Sequence, residues 1–235
     1  MPEPNLPTAF LNPASLKPAR YENCHEIIAN SQAIADGQTD FSYQTRKSSA
    51  QRSFTFKRRE SLPVYAQHLW LIERGAVRAY TLMEDGTILG LGFWGVGDSV
   101  GQHLSCIQPY ELECLTDVQA RAIALKDFVD WPQTLLSHLY QAQALINIRN
   151  GQVHLRLRRL LEWLSERFGE KHEQGRLINL RLTHQDIADA LGTTRVTVTR
   201  LLNQFEQERR IRRVEQYLLL LQGRSVEGES SLKRW

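Results

Sequence analysis

The chain has 235 residues, 42% hydrophobic and 23% charged, with a formal net charge of +3. That is the make-up of an ordinary globular protein with room for about two domains of ~100–200 residues, and no run approaches the ~18–20 apolar residues of a membrane helix. The charge is uneven: residues 1–148 carry 12 Lys/Arg against 15 Asp/Glu, residues 149–224 carry 15 against 9, and the last eleven are balanced at 2 and 2. A basic C-terminal part fits a polyanionic partner, and equally a merely soluble surface.

The first 50 residues are rich in proline and polar side chains and read as an extension outside the main core, with a short helix expected around Tyr21–Ala35. The opening MPEPNLPTAFLNP lacks a basic segment followed by an apolar run, so no signal peptide is expected. Three cysteines, Cys24, Cys106 and Cys114, have no metal-ligand spacing, which fits a reduced, cytoplasmic chain.

From 51 to 130 the pattern switches to strand period. Ser53–Phe56, Leu69–Ile72, Ala76–Tyr80, Ile88–Phe93 and Val118–Leu125 are the expected strands, with a hairpin at Glu84-Asp85-Gly86-Thr87 and a turn at Gly95–Asp98. Short strands at this spacing predict a small antiparallel roll. Residues 131–151 then form a helix with Pro132 in its first turn, followed by a break at Arg149-Asn150-Gly151. Its Leu135, Leu139, Ala142 and Ile146 have the spacing of a dimer seam, which is also that of a core helix. A second amphipathic helix, through Val153, Leu157, Leu160, Leu161 and Leu164, ends near Gly169.

The most specific stretch is Leu182–Phe205. Thr183 caps a first helix with Ile187 and Leu191 on its buried side, Ala188 permits a close crossing, and Gly192 permits a sharp turn. Thr194 caps a second helix with a buried stripe of Val198, Leu201, Leu202 and Phe205. Its other face presents Arg195, Val196, Thr199, Arg200 and Asn203, where arginine suits a guanine edge and threonine hydroxyls suit phosphate. This is the layout of a helix-turn-helix whose second helix enters the major groove. Thr183, Gln185, Thr193, Thr194, Arg195, Val196, Thr197, Thr199, Arg200 and Asn203 are the candidate DNA contacts. Arg209–Val214 and Tyr217–Leu220 read as a two-stranded wing whose Arg212 and Arg213 meet the DNA backbone, or as a solvated basic hairpin. Asp186 and Asp189 read as the solvated side of the first helix. No nucleophile–base set, phosphate loop or metal spacing stands out, so no catalytic or metal residue is named and an enzyme is not expected.

In this order, the glycine-punctuated roll (Leu69–Ile72, Gly75-Ala76-Val77, Gly86, Gly97–Gly101), the long helix and the winged helix-turn-helix resemble the CRP/FNR superfamily of bacterial regulators over roughly Arg52 to Leu221. The segment Thr194–Arg200 is similar to that of the NtcA, nitrogen-control, branch. The resemblance implies an α+β chain: a cyclic-nucleotide-binding-like β-roll at 51–130, a dimerisation helix at 131–151, a winged helix-turn-helix at 152–224 and a tail at 225–235. It implies a cytoplasmic transcription activator that meets double-stranded DNA, a second copy of itself and RNA polymerase, and no membrane. Arg195, Val196 and Arg200 would read bases, and Val196, where the cyclic-AMP member has an acidic residue, favours TGT/GTA-like sites. An effector would sit between the roll and the long helix, near Gly101, Gln102, His103, Leu104 and Ser105.

The effector itself stays unknown. Cyclic AMP is disfavoured, because Gly101-Gln102 replaces the family's Gly-Glu pair and the next ten residues hold no arginine to neutralise a phosphate. 2-Oxoglutarate is disfavoured for want of roll and helix arginines, and an iron–sulfur cluster for want of a fourth cysteine. His68 or His103 could serve a haem, although a lone histidine is more often a satisfied structural group. The competing reading is a small-molecule-sensing roll that acts through protein contacts.

Overall fold

The computed structural model describes residues 53–221. The N-terminal extension, the short helix expected around Tyr21–Ala35, Cys24 and the tail at 225–235 lie outside the described residues.

Among the described residues, twelve strands and four α-helices follow one another in the order of a roll, a long helix and a winged helix. The roll is two antiparallel four-stranded sheets. One holds β1 (Ser53–Phe56), β8 (Val118–Ala124), β3 (His68–Arg74) and β6 (Ser99–Val100). The other holds β2 (Ser61–Leu62), β7 (Glu111–Cys114), β4 (Val77–Leu82) and β5 (Ile88–Trp94). Alternating side chains such as Trp70, Ile72, Val77, Trp94 and Leu112 meet between them. The expected hairpin forms where Asp-Gly stands, with Gly86 at φ 78° and Thr87 N donating to Asp85 Oδ1 at 2.8 Å. The short strands β2, β6 and β7 escape the sequence reading because two of them have two residues each, too few to show a period.

Helix α1 (Trp131–Arg149) lies along the roll, with Leu145 and Ile148 buried. The break at Asn150 and Gly151 turns the chain into α2 (Val153–Phe168), whose Leu157, Leu160, Leu161 and Leu164 are fully buried. The sequence places nothing between Gly169 and Thr183, and here the structure adds a hairpin, β9 (Gly169–His172) and β10 (Gly175–Ile178). This hairpin extends the expected two-stranded wing, whose own two strands form. β11 (Ile211–Val214) and β12 (Tyr217–Leu221) join that hairpin in one sheet of order β11-β12-β10-β9. The hairpin GEKHEQGRLI is mostly polar, so its pairing to β12 rather than its own pattern makes it a strand pair.

The helix-turn-helix is α3 (His184–Leu191) and α4 (Arg195–Gln207). Its core is shared with the roll: Ala76, Phe93 and Leu115 join one apolar cluster with Ile187, Leu191 and Leu202. The two halves therefore pack as one body.

Candidate nucleic-acid interface

Both helix-turn-helix caps form as the sequence predicts. Thr183 Oγ1 accepts from Asp186 N at 3.1 Å while Asp186 Oδ2 accepts from Thr183 N at 2.7 Å, a capping box at the start of α3. Gly192 closes the helix in the left-handed region at φ 62°, where a side chain would be strained. Thr194 Oγ1 then accepts from Thr197 N at 3.2 Å and starts α4.

The stripe Val198, Leu201, Leu202 and Phe205 is buried, which turns the opposite face of α4 outward. On that face Arg195, Val196, Arg200 and Asn203 are exposed, Val196 at 78%. An apolar side chain so bare at the first turn of a helix lacks a partner within the described residues. It suits contact with a base edge or methyl group. Thr199 Oγ1 donates to Arg195 O at 2.9 Å and meets His184 Nδ1 at 2.7 Å, tying the two helices together below the reading face. Thr193 is half-buried in the turn, and Gln185 is exposed at the start of α3, its amide donating to Asp189 Oδ1 at 2.7 Å.

The wing departs from expectation in one respect. Arg212 is exposed, but Arg213 forms an ion pair with Glu206, and its Nη2 donates to Asn203 Oδ1 at 2.8 Å. Asn203 is thus oriented by the wing. The Asn203–Arg213 link could not be read from a helical period, because it joins a helix to a strand.

The larger correction concerns Asp186 and Asp189. They are buried, not solvated, with 2% and 5% of their surface exposed. Asp186 takes a bidentate contact from Arg59 at 2.7 and 3.0 Å and lies 3.0 Å from Arg78 Nη1. Asp189 accepts from Arg78 Nη1 at 3.0 Å, and Glu113 bridges both arginines at 2.7 and 2.9 Å. Burial alone would raise the Asp186 carboxyl, but the Arg59 hydrogen bonds, the Thr183 amide and Arg78 together hold it below the usual range. Arg59 is raised in turn, chiefly by Asp186.

At the other end of α3, Arg149 Nε donates to Ala190 O at 2.9 Å and Arg156 Nη1 to Leu191 O at 3.2 Å, where a helix C-terminus favours cations. Arg149 also reaches Gly90 O. A Cβ on Gly90 would lie 3.2 Å from Ala190 Cα, so strand and helix meet backbone to backbone there. The sequence reading missed Arg59, Arg78 and Glu113. The available signal was Arg78 itself, a charge in the apolar strand Val77–Tyr80.

Of the segment expected to border an effector, Gly101 is buried and Gln102–Ser105 are half-buried. Gly101 is buried against Leu69 and His68, Gln102–Leu104 form a short 3-10 turn, and Leu104 joins Leu69, Ile123, Phe128 and Trp131. Gln102 Nε2 donates to Ser105 O at 3.4 Å, and His103 Nδ1 is buried without a hydrogen-bond partner among the described residues. Between roll and α1, the Trp94 and His138 rings lie 5.1 Å apart and Phe93 N donates to Gln141 Oε1 at 3.2 Å. Burial holds the His138 imidazole below its ordinary range, against the Ser99 carbonyl and Asp98. Among the described residues no group of three or more His, Cys, Asp or Glu could hold a metal, and no helix is long and apolar enough to cross a membrane.

Comparison with known proteins accounts for this arrangement. Residues 155–224 match the model of the Crp-like helix-turn-helix domain. The regulatory protein CysR of Synechococcus elongatus is 42% identical over 167 residues, spanning 69% of this chain and 81% of that protein. The chain belongs to the CRP/FNR family of transcription regulators. The global nitrogen regulator of the same organism is 29% identical over 164 residues, 62% of this chain and 73% of its own length. In fold, a CRP-family transcriptional regulator of Thermus thermophilus superposes with a TM-score of 0.62 at 23% identity, covering 72% of this chain and 92% of that one. As a CRP/FNR regulator, the protein is a sequence-specific DNA-binding transcription factor with the α+β architecture expected from the sequence. Regulators of this family bind DNA and act as dimers.

Proposed function

We propose that this protein acts as a homodimer that sets one α4 into each of two successive major grooves of a two-fold-symmetric promoter site. The carrying observation is the face of α4, where Arg195, Val196 and Arg200 stand exposed above a fully buried stripe. In this reading those three side chains contact bases, Thr183, Gln185, Thr193, Thr194, Thr197 and Thr199 border phosphates, and Arg212 adds a backbone contact from the wing. Asn203 and Arg213 act together, since one orients the other. The site preferred is TGT/GTA-like, in keeping with Val196 and the likeness to the nitrogen regulators.

The dimer is built on α1. Leu135, Leu139 and Ile146 are 42%, 51% and 72% exposed, with Ala142 exposed between them. These are the four residues of the expected seam. Such a stripe on a helix already docked to its own roll suits a second copy of the same helix. Bound in this way in the cytoplasm, the protein meets RNA polymerase as an activator and has no catalytic role. An effector of the family's kind would lodge under the start of α1, against Gly101–Ser105.

Selection of bound duplexes from random DNA tests this reading. The expected product is a symmetric motif with half-sites one helical turn, about 34–36 Å, apart. Leu139→Glu should yield a monomer in sedimentation and lose the motif. Recovery of an asymmetric motif, or a Leu139→Glu protein that still selects both half-sites, would overturn it.

A further inference from the structure

Consecutive residues of a strand point to opposite sides, and β11 puts two arginines in that relation. Arg212 is exposed and has no carboxylate partner among the described residues, so its charge is open to a phosphate. Arg213 is committed to α4. Its Nη1 forms an ion pair with Glu206, its backbone N donates to Glu206 Oε1 at 3.2 Å, and its Nη2 donates to Asn203 Oδ1 at 2.8 Å. We propose that Glu206 and Arg213 form a positioning pair that makes Asn203 a further specificity-determining residue, one that reads a base edge as a hydrogen-bond donor and so favours guanine. The inference rests on the DNA-binding reading above and names the chemistry of one more base contact.

The helical period sets the location. At about 100° and 1.5 Å per residue, Val196, Arg200 and Asn203 fall within about 60° of one another, and Asn203 lies about 10 Å along the axis from Val196. It is exposed at the third turn of α4, too far along to share a base pair with Val196. Recognition helices of other folds read bases across the same span of two turns.

The wing then sets the polarity of the contact. Arginine carries only donors, so the amide must turn its oxygen toward Arg213 and its nitrogen away. The contact is charge-assisted, which makes it roughly twice as strong as one between neutral groups. A free asparagine binds adenine through both amide atoms, accepting from N6 and donating to N7. With Oδ1 held by the wing, that pairing would give up the guanidinium contact. The Nδ2 hydrogens have no acceptor among the described residues and stay available. Guanine presents two acceptors, N7 and O6, side by side; thymine has O4 alone, adenine N7 beside a donor, and cytosine a donor alone. Guanine is therefore the favoured edge and cytosine the most disfavoured. Glu206 completes the device: by gripping both the amide and the guanidinium, it fixes Arg213 from two sides and keeps it from turning to a phosphate.

The test is selection of bound duplexes from random DNA by the full-length protein and three variants. Wild type should prefer guanine at one base pair outside those assigned to Arg195, Val196 and Arg200. Arg213→Met frees Oδ1, so adenine should overtake guanine there, a swing of about tenfold in relative selection, with every other position unchanged. Asn203→Asp exchanges donors for acceptors and should turn the preference to cytosine, whose N4 amino group donates. Asn203→Ala, a truncation on an exposed side chain, should make that position indifferent, and it decides the matter if Arg213→Met folds poorly. A purely structural wing arginine predicts otherwise: Arg213→Met would weaken binding to all duplexes equally, with guanine retained. That result, adenine at this position in the wild type, or an Asn203→Ala motif identical to that of the wild type would each overturn the proposal. A wild-type protein that selects no sequence would instead sink the DNA-binding reading, so the two failures are distinct.

Discussion

The two polar surfaces of the helix-turn-helix are used in opposite ways. On α3, Asp186 and Asp189 are buried and saturated by Arg59 and Arg78 of the roll. On α4, Arg195, Val196 and Arg200 are exposed, and no described residue covers them. One surface fixes the unit to the rest of the molecule, and the other is left for a ligand. A short polar helix gains a defined orientation only when some of its polar groups are committed to its own protein.

The largest effect should come from breaking the committed side. Arg78→Met strands Asp189 and half of Glu113 in a buried setting, which typically costs about 3–5 kcal/mol. Urea unfolding should show that loss, and a change under about 1 kcal/mol would mean that the cluster contributes little. Arg200→Ala attacks the open side. Stability should stay within about 0.5 kcal/mol of wild type, while specific DNA affinity falls by about 1–3 kcal/mol for each half-site and discrimination relaxes at one base pair. Equal loss of stability in both variants would erase the distinction between the two surfaces.

The smallest effect concerns the boundary between them. His184 on α3 touches Thr199 on α4 and faces the positive charges of Arg195 and Arg213. Its folded pKa is lowered from 6.5, so the free protein favours neutral imidazole. DNA phosphates beside those arginines would offset their charge and raise it again. DNA affinity should therefore rise modestly as pH falls from above about 7 through the region of the free imidazole pKa. In the absence of DNA the sign is the reverse. The unfolded chain binds the proton more readily, so stability from His184, and from His138, is present above pH 6.5 and declines below it. Titration of DNA binding by wild type and His184→Gln checks this, and a slope that persists in the variant would assign the effect elsewhere.

Much of this organisation was legible in the chain. Thr183, Gly192 and Thr194 act through their own neighbours, and the stripe Val198, Leu201, Leu202, Phe205 follows from about 3.6 residues per turn. Local chemistry and periodicity therefore placed both helices and the hairpin at Gly86. The polar hairpin Gly169–Ile178 was beyond such reasoning, because its strands exist through pairing to β12.

A period states which residues share a face but not what that face meets. Asp189 stands on the polar side of α3 by any count, and its partner Arg78 lies 111 residues away. The sequence by itself determined where each helix begins and ends and which stripe it buries, since those depend on neighbours within a few residues. Only the tertiary structure decided that Asp186 and Asp189 are interior and that Arg213 orients Asn203. Each of those depends on desolvation and pairing between segments that folding alone brings together.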